Sequence, residues 1–354
     1  MMSTRPERIL LLEQLCNAVA VSGDEREVRQ IVLAALDGHV DDLSVDPLGS
    51  VIAVKRGTAR RRTRVMLSAH MDEVGLMIVG TDQPGSLRFE IVGGLDTRYL
   101  QGKRVLVGKH RLPGVIGAIP PHLLPEGESG KVDHASLRIE LGPGASAEIG
   151  DRAAYEPRTR VVGGLVFAKS IDDRIGVATL IELLQHTYRA IDLYAVFSVQ
   201  EEVGARGAWA AAQRIDPGLA IVIDATAAHD QPTDDDSENT WYNSRLGFGP
   251  AVYAADSRTI YDARLVELVR SAAVRRRIPI QTRQPTRGGT DAGGIQRALS
   301  GIPCVAVSVP HRYPHSPISI ARIDDWENTI ALLEASLRIL SRTPAASTRA
   351  RRGV

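Results

Sequence analysis

Val65-Met66-Leu67-Ser68-Ala69-His70-Met71-Asp72-Glu73 runs from an apolar strand straight into a cluster of potential metal ligands. The same event recurs further along the chain. Ala195-Val196-Phe197-Ser198-Val199 runs into Gln200, Glu201 and Glu202, and Ala220-Ile221-Val222-Ile223 runs into Asp224. Val305-Ala306-Val307-Ser308-Val309 runs into Pro310, His311, Arg312, Tyr313, Pro314 and His315. Asp172-Asp173, which opens a helix after a strand at 161–168, is a further candidate. In an open parallel sheet, ligands bind beyond the carboxyl ends of the strands, so these segments would deliver imidazole and carboxylate groups to one rim. Such a donor set, without cysteine, suits Zn, Co or Mn. His70 and Asp72 face the same side of an extended strand. Asp72 can then accept a hydrogen bond from the ring nitrogen of His70 that is not bound to metal.

Outward from these strand ends, the pattern is one of alternation. Residues 7–37 read as two helices, with Ser22 and Glu25 as a capping box for the second. Strands follow at 43–55 and 64–70, with Arg60-Arg61-Arg62 in the loop between them. From Asp173 a helix carries Val177, Leu180, Ile181 and Leu184 on one face. Then come a strand at 194–199, a helix at 205–214, a strand at 220–226, a helix at 260–276, a strand at 303–309 and a helix at 325–341. This order predicts an α/β fold with a mostly parallel sheet flanked by helices. Residues 76–163 differ: short runs such as Leu87–Val92 and Arg104–Val107 are closely punctuated by Gly and Pro, which predicts a small inserted β-barrel or sandwich. The domain reading is therefore 1–75 with 164–342 as one discontinuous α/β unit and 76–163 as the insert. The tail 343–354 is expected to be disordered, and Thr233–Glu238 to be a solvated acidic loop.

Composition narrows the partners. Among 354 residues, Lys+Arg is 43 and Asp+Glu is 42, a net charge of +1. That balance gives no electrostatic reason to expect nucleic acid or a membrane surface. Aromatic residues at 4% leave little for base stacking. Cys16 and Cys304 are too few for a disulfide framework or a thiolate cluster, and read as small buried residues of a cytoplasmic protein. Near the N-terminus Leu12, Leu15, Cys16 and Val19 recur at helical spacing, so Ile9–Leu12 reads as part of a surface helix rather than a secretion signal. No run approaches the ~20 apolar residues a membrane span needs.

Ala69-His70-Met71-Asp72-Glu73-Val74-Gly75, Asp172-Asp173-Arg174-Ile175-Gly176, Gln200-Glu201-Glu202-Val203-Gly204, Gly288-Gly289-Thr290-Asp291-Ala292-Gly293 and Arg312-Tyr313-Pro314-His315-Ser316 together resemble the M42 family of metallo-aminopeptidases, in the family's order. The resemblance implies a zinc-peptidase-like fold and a hydrolase that removes N-terminal residues from peptides with two divalent ions. It implies Asp172 as the bridging ligand, with His70, Asp224, Glu202 and His315 completing the two sites. Glu201 would be the general base towards the attacking water, and Asp72 would orient His70. Thr290 and Asp291 would lie beside the substrate. The insert would pair subunits and cover the active site, with dimers building twelve-subunit shells. Ile171, Phe248, Pro314 and the acidic segment Asp230–Glu238 depart from the family pattern and bear on substrate preference.

Other readings compete for the same residues. An endoglucanase-like glycosidase needs two carboxyls ~5–9.5 Å apart and has no use for ligand histidines. A non-catalytic scaffold on a peptidase fold would be expected to have lost the base or the bridging ligand. The glycine-rich loop 288–294 lacks the Gly-Lys-Ser/Thr ending of a phosphate cradle.

Overall fold

The computed structural model describes residues 3–118, 134–232, 244–283 and 288–342. The expectations for Thr233–Glu238 and for the tail fall outside these residues. Helices α1 (Arg5–Asn17) and α2 (Arg26–Leu36) precede the hairpin β1 (Asp42–Val45) and β2 (Val51–Lys55), and then β3 (Thr63–His70). The chain continues through β4 (Gly75–Gln83), β5 (Ser86–Val92), β6 (Arg104–Val107), β7 (Leu112–Gly117), β8 (Arg138–Leu141) and β9 (Arg152–Tyr155). It returns through β10 (Arg160–Val162) and β11 (Leu165–Ala168) to α3 (Ile171–Leu183). β12 (Ile191–Ser198), α4 (Arg206–Ile215), β13 (Leu219–Ala227), β14 (Ala251–Tyr253), α5 (Ala263–Arg276) and β15 (Gln281–Arg283) follow. The last elements are α6 (Ala292–Ile295), β16 (Cys304–Arg312), β17 (Ser319–Arg322) and α7 (Ile323–Leu340).

The large sheet runs β1-β2-β12-β3-β13-β16-β17-β11-β10. Its centre is parallel: β12 beside β3, β3 beside β13, and β13 beside β16. These central strands read as continuous apolar runs because both of their faces are covered, and Val65–Ala69 and Ala220–Ile223 are buried throughout. Helix α3 packs on β3 and β13 with α1 and α7 beside it, and α5 packs on α7. Helices α4 and α6 lie together and touch β3, β12, β13 and β16 between them. Cys16 and Cys304 are free and buried. Among the described residues no helix is long and apolar enough to cross a membrane.

β4-β5-β8-β7-β6-β9 close into a barrel with its own core, in which Leu76 and Ile78 of β4, Leu87 and Phe89 of β5 and Val105 and Val107 of β6 alternate inward. β10, which lies within 76–163 by number, belongs to the large sheet through its pairing with β11.

The capping box expected at Ser22 and Glu25 is not formed. The Ser22 hydroxyl instead donates to Asp72 Oδ2 at 2.6 Å, and Glu25 accepts the Gly23 amide at 2.6 Å. A tertiary acceptor has taken the hydroxyl that a local cap would use. A capping box does open α1, where Glu7 accepts the Thr4 amide at 2.7 Å.

Candidate active site

The parallel register brings the strand ends level. His70 ends β3 beside Ser198 of β12, and Asp224 of β13 lies opposite Ser308 of β16. Backbone positions around the rim with left-handed φ include Ser170 (55°), Gln200 (58°), Tyr313 (59°) and His315 (54°). Each bends the chain at or just before a site residue, in the way strained backbone gathers at functional sites. Asp172 and Asp173 open α3 with non-helical ψ values of 110° and 38°, so the regular helix starts after them.

Asp172 is the centre of the arrangement. His70 Nε2 lies 3.1 Å from its Oδ1, and His315 Nε2 lies 3.7 Å from its Oδ2 and 3.2 Å from Glu202 Oε1. The opposite ring nitrogens are already engaged. His70 Nδ1 faces the Asp72 carbonyl oxygen at 3.1 Å and its Oδ1 at 3.4 Å, and His315 Nδ1 faces the Gly94 carbonyl oxygen at 2.7 Å. Those partners only accept, so each Nδ1 must carry the hydrogen. A neutral ring would then aim the Nε2 lone pair at a carboxylate. Two lone-pair atoms at that distance need a positive charge between them, either a proton or a metal ion. The titration behaviour says the same. Burial works against charge on both rings, yet the carboxylates outweigh it: Asp172 and Asp72 hold His70 well above the usual range, and Asp172 and Glu202 raise His315 to about 11. Burial also works to raise the Asp172 carboxyl, but the imidazoles of His315 and His70 hold it well below the carboxylate range.

Among the described residues, two donor sets satisfy the spacing of a metal site, with their ligand atoms within 4.8 Å of one another: His70 with Asp172 and Glu202, and His70 with Asp173 and Asp224. Asp173 has no ligand role in the family resemblance and enters here by its position. Its Oδ2 accepts the His70 amide at 3.2 Å and its Oδ1 the Gly176 amide at 3.1 Å, so it anchors β3 to α3. Asp224 is buried, and burial with the charges of Asp172 and Asp173 pushes its carboxyl well above the ordinary range. Buried carboxyls in this number, facing two imidazoles, fit a cationic cofactor by donor chemistry and by charge.

Asp72 has partners besides His70. Its carboxylate accepts the amides of Glu201 at 3.0 Å and Glu202 at 3.2 Å as well as the Ser22 hydroxyl, and so fixes the turn after β12. Glu201 and Glu202 are thereby held in different places, a distinction their adjacency in sequence does not show. Glu202 reaches His315, while the Glu201 carboxyl is buried and pushed well above its ordinary value. Burial is the main cause, and the charges on Asp291, Glu202 and Asp72 add to it against the opposing His70.

Thr290 and Asp291 lie inside rather than at the surface of a groove. Thr290 Oγ1 meets the Tyr261 hydroxyl at 3.1 Å, and Asp291 Oδ2 accepts the hydroxyls of Ser68 at 2.6 Å and Ser198 at 2.5 Å. His311, on the same strand end as His315, is buried, and burial pushes its ring down to about 4. Asp230 pairs with Arg312 at 2.7 Å. Ser22 and Gly94 escape motif reading, since each meets its partner across a long stretch of sequence. A Cβ on Gly94 would sit 3.3 Å from His315 Nδ1, so the residue type is the only local trace of that contact.

Aminopeptidases of known structure share this architecture. The aminopeptidase of the archaeon Desulfurococcus kamchatkensis is 31% identical, with a TM-score of 0.89 and 99% of each chain covered. The TET1 peptidase of Pyrococcus horikoshii, described as assembling into a tetrahedron or a large octahedral shell, is 33% identical, with a TM-score of 0.80, 93% of this chain and 98% of that chain covered. The lysyl aminopeptidase of Pyrococcus furiosus is 34% identical over 345 residues, 93% of this chain and 96% of that one. The family model described as M42 glutamyl aminopeptidase matches residues 49–332, and the chain belongs to the M42 peptidase family.

Proposed function

We propose that the protein is a metal-dependent aminopeptidase that removes N-terminal residues from peptides. The observation that carries this reading is Asp172, whose two carboxylate oxygens each meet an imidazole Nε2 while both Nδ1 atoms are committed elsewhere. His70, Asp172, Glu202, Asp224 and His315 would hold two divalent ions of the Zn, Co or Mn type, with Asp172 shared. Bound there, the ions supply Lewis acidity towards the scissile carbonyl and lower the pKa of the attacking water.

The chain's own groups do the rest. Glu201 takes a proton from the water and returns it to the leaving amine, a task that suits a carboxyl whose proton affinity burial raises above the ordinary value. Asp72 holds the His70 ring and the Glu201–Glu202 turn in one network. Asp291 takes the role of anchoring the glycine-rich segment to β3 and β12, and Thr290 ties it to Tyr261.

Self-association through the barrel, as dimers and as a larger shell, is part of the same reading. It is supported by the assembly described for the Pyrococcus horikoshii peptidase. Sedimentation at micromolar concentration should show assemblies, and monomer alone would contradict this. The cytoplasm is the compartment proposed, in keeping with two free, buried cysteines.

The activity is tested by reconstituting the protein with Zn, Co or Mn and screening aminoacyl-p-nitroanilides with and without chelator. Hydrolysis that the chelator abolishes is expected. Anilides left intact under every metal, or hydrolysis indifferent to chelator, would contradict the proposal.

A further inference from the structure

Behind the donor cluster lies a second group of charges that the proposed chemistry does not use. Glu73 follows Asp72 and is buried. Both of its carboxylate oxygens lie 2.7 Å from Lys169 Nζ. Its Oε1 also accepts Arg174 Nη2 at 3.1 Å and the Ala20 amide at 3.0 Å, and the Ser170 hydroxyl donates to Oε2. Lys169 Nζ also donates to the Ala18 carbonyl at 2.7 Å and Ser170 Oγ at 3.1 Å. Arg174 donates to the Met71 carbonyl at 2.9 Å and the Leu15 carbonyl at 2.8 Å. Lys169 and Arg174 are 1% and 0% exposed, so every charge here has left water.

Two buried cations around one carboxylate are a poor choice if stability alone is at stake, because apolar residues of similar volume do as well or better. What the group connects is more informative. Met71 and Glu73 continue the segment that carries His70 and Asp72. Lys169, Ser170 and Arg174 bracket Asp172 and Asp173. Leu15, Ala18 and Ala20 lead to Ser22, which donates to Asp72. A small cavity lined by Glu73, Lys169 and Ser170 on one side and by Asp172, Glu202 and His315 on the other joins the two groups. The excess positive charge also sits directly behind a carboxylate-rich cluster.

We infer that Glu73, Lys169 and Arg174 are positioning residues: their clamp sets the register between the exit of β3 and the turn that opens α3, so that His70 and Asp172 meet. The kinetic consequence rests on the proposed aminopeptidase reading, whereas the structural consequence does not.

The test uses the full chain with Glu73→Gln and Lys169→Met combined. This double variant removes one cation with the anion, and the side-chain carbonyl that replaces the carboxylate can still accept from Arg174 and the Ala20 amide. Hydrogen exchange of the metal-free proteins should show residues 68–75 and 169–176 exchanging ~10-fold faster than in the wild type, with α5 and α7 unchanged. With metal restored, kcat should fall ~10–100-fold while KM stays within ~2-fold, the effect of disturbing groups that orient metal ligands. Unchanged local exchange would overturn the inference, as would acceleration spread evenly over all helices or a wild-type kcat. If the double variant does not fold, Ser170→Ala removes only one hydroxyl from the clamp. It should accelerate the same segments, and exchange equal to the wild type would overturn the inference. The exchange measurement decides the clamp whether or not the proposed activity is found.

Discussion

The carbonyl oxygen of Gly94 lies 2.7 Å from Nδ1 of His315, a contact between the connection from β5 to β6 of the barrel and the segment that follows β16. It leaves Nε2 of the same ring to face Asp172 and Glu202. The barrel region therefore reaches the site through a backbone carbonyl. A group that holds the far nitrogen of a metal-ligating imidazole fixes the direction of the near one.

Gly94→Ala places a Cβ 3.3 Å from His315 Nδ1, so the ring must shift by a few tenths of an ångström. Turnover of the best aminoacyl substrate should fall ~10-fold, since small losses of ligand orientation are costly. Melting temperature should barely change, because the contact lies at the rim and away from both cores. Equal kcat in the two proteins would show that the barrel contact does not set the ring.

Glu201→Gln keeps the backbone hydrogen bond to Asp72 and removes the proton acceptor. Turnover should drop by ~10²–10⁴-fold while the metal content measured by elemental analysis stays at the wild-type level. Activity close to the wild type would remove Glu201 from the role of base.

Glu25 gives a pH dependence with a definite sign. Burial, with a smaller contribution from the charge on Asp72, raises its carboxyl from 4.5 to about 7 against the opposing Gly23 amide. The fold therefore prefers the protonated form. Its contribution to stability is full below about 4.5 and is lost as pH rises through about 7. Glu25→Gln should accordingly gain stability over the wild type as pH climbs through that window, with the difference levelling off above it. Chemical denaturation at a series of pH values reads this directly, and a constant difference would contradict the assignment.

Much of the site was legible because one physical feature repeats. β3, β12, β13 and β16 are covered on both faces, so each reads as a mainly apolar run with at most a small serine in it, and the first ionisable residue after each run marks the rim. Parallel pairing then makes those ends coincide. Short strands such as β14, β15 and β17 carry no such signal. Partners that meet only in the folded chain were also hidden: Ser22 with Asp72, Gly94 with His315, and Glu73 with Lys169. Ser22 shows the reason clearly. Its local pattern is that of a helix cap, and a buried carboxylate competes for the hydroxyl and wins it. Thr290 and Asp291 look like an open loop in sequence, yet two strand serines draw Asp291 inside.

The most direct test of the central claim is the number of divalent ions that the metal-free chain binds, measured by titration and confirmed by elemental analysis, in the wild type and in His315→Ala. About two tightly held ions per chain are expected, falling to about one in the variant as a ligand is lost from one site of the cluster. A wild-type chain that retains no divalent ion, or an unchanged count after His315 is removed, would contradict the claim that these imidazoles and carboxylates form a two-ion centre.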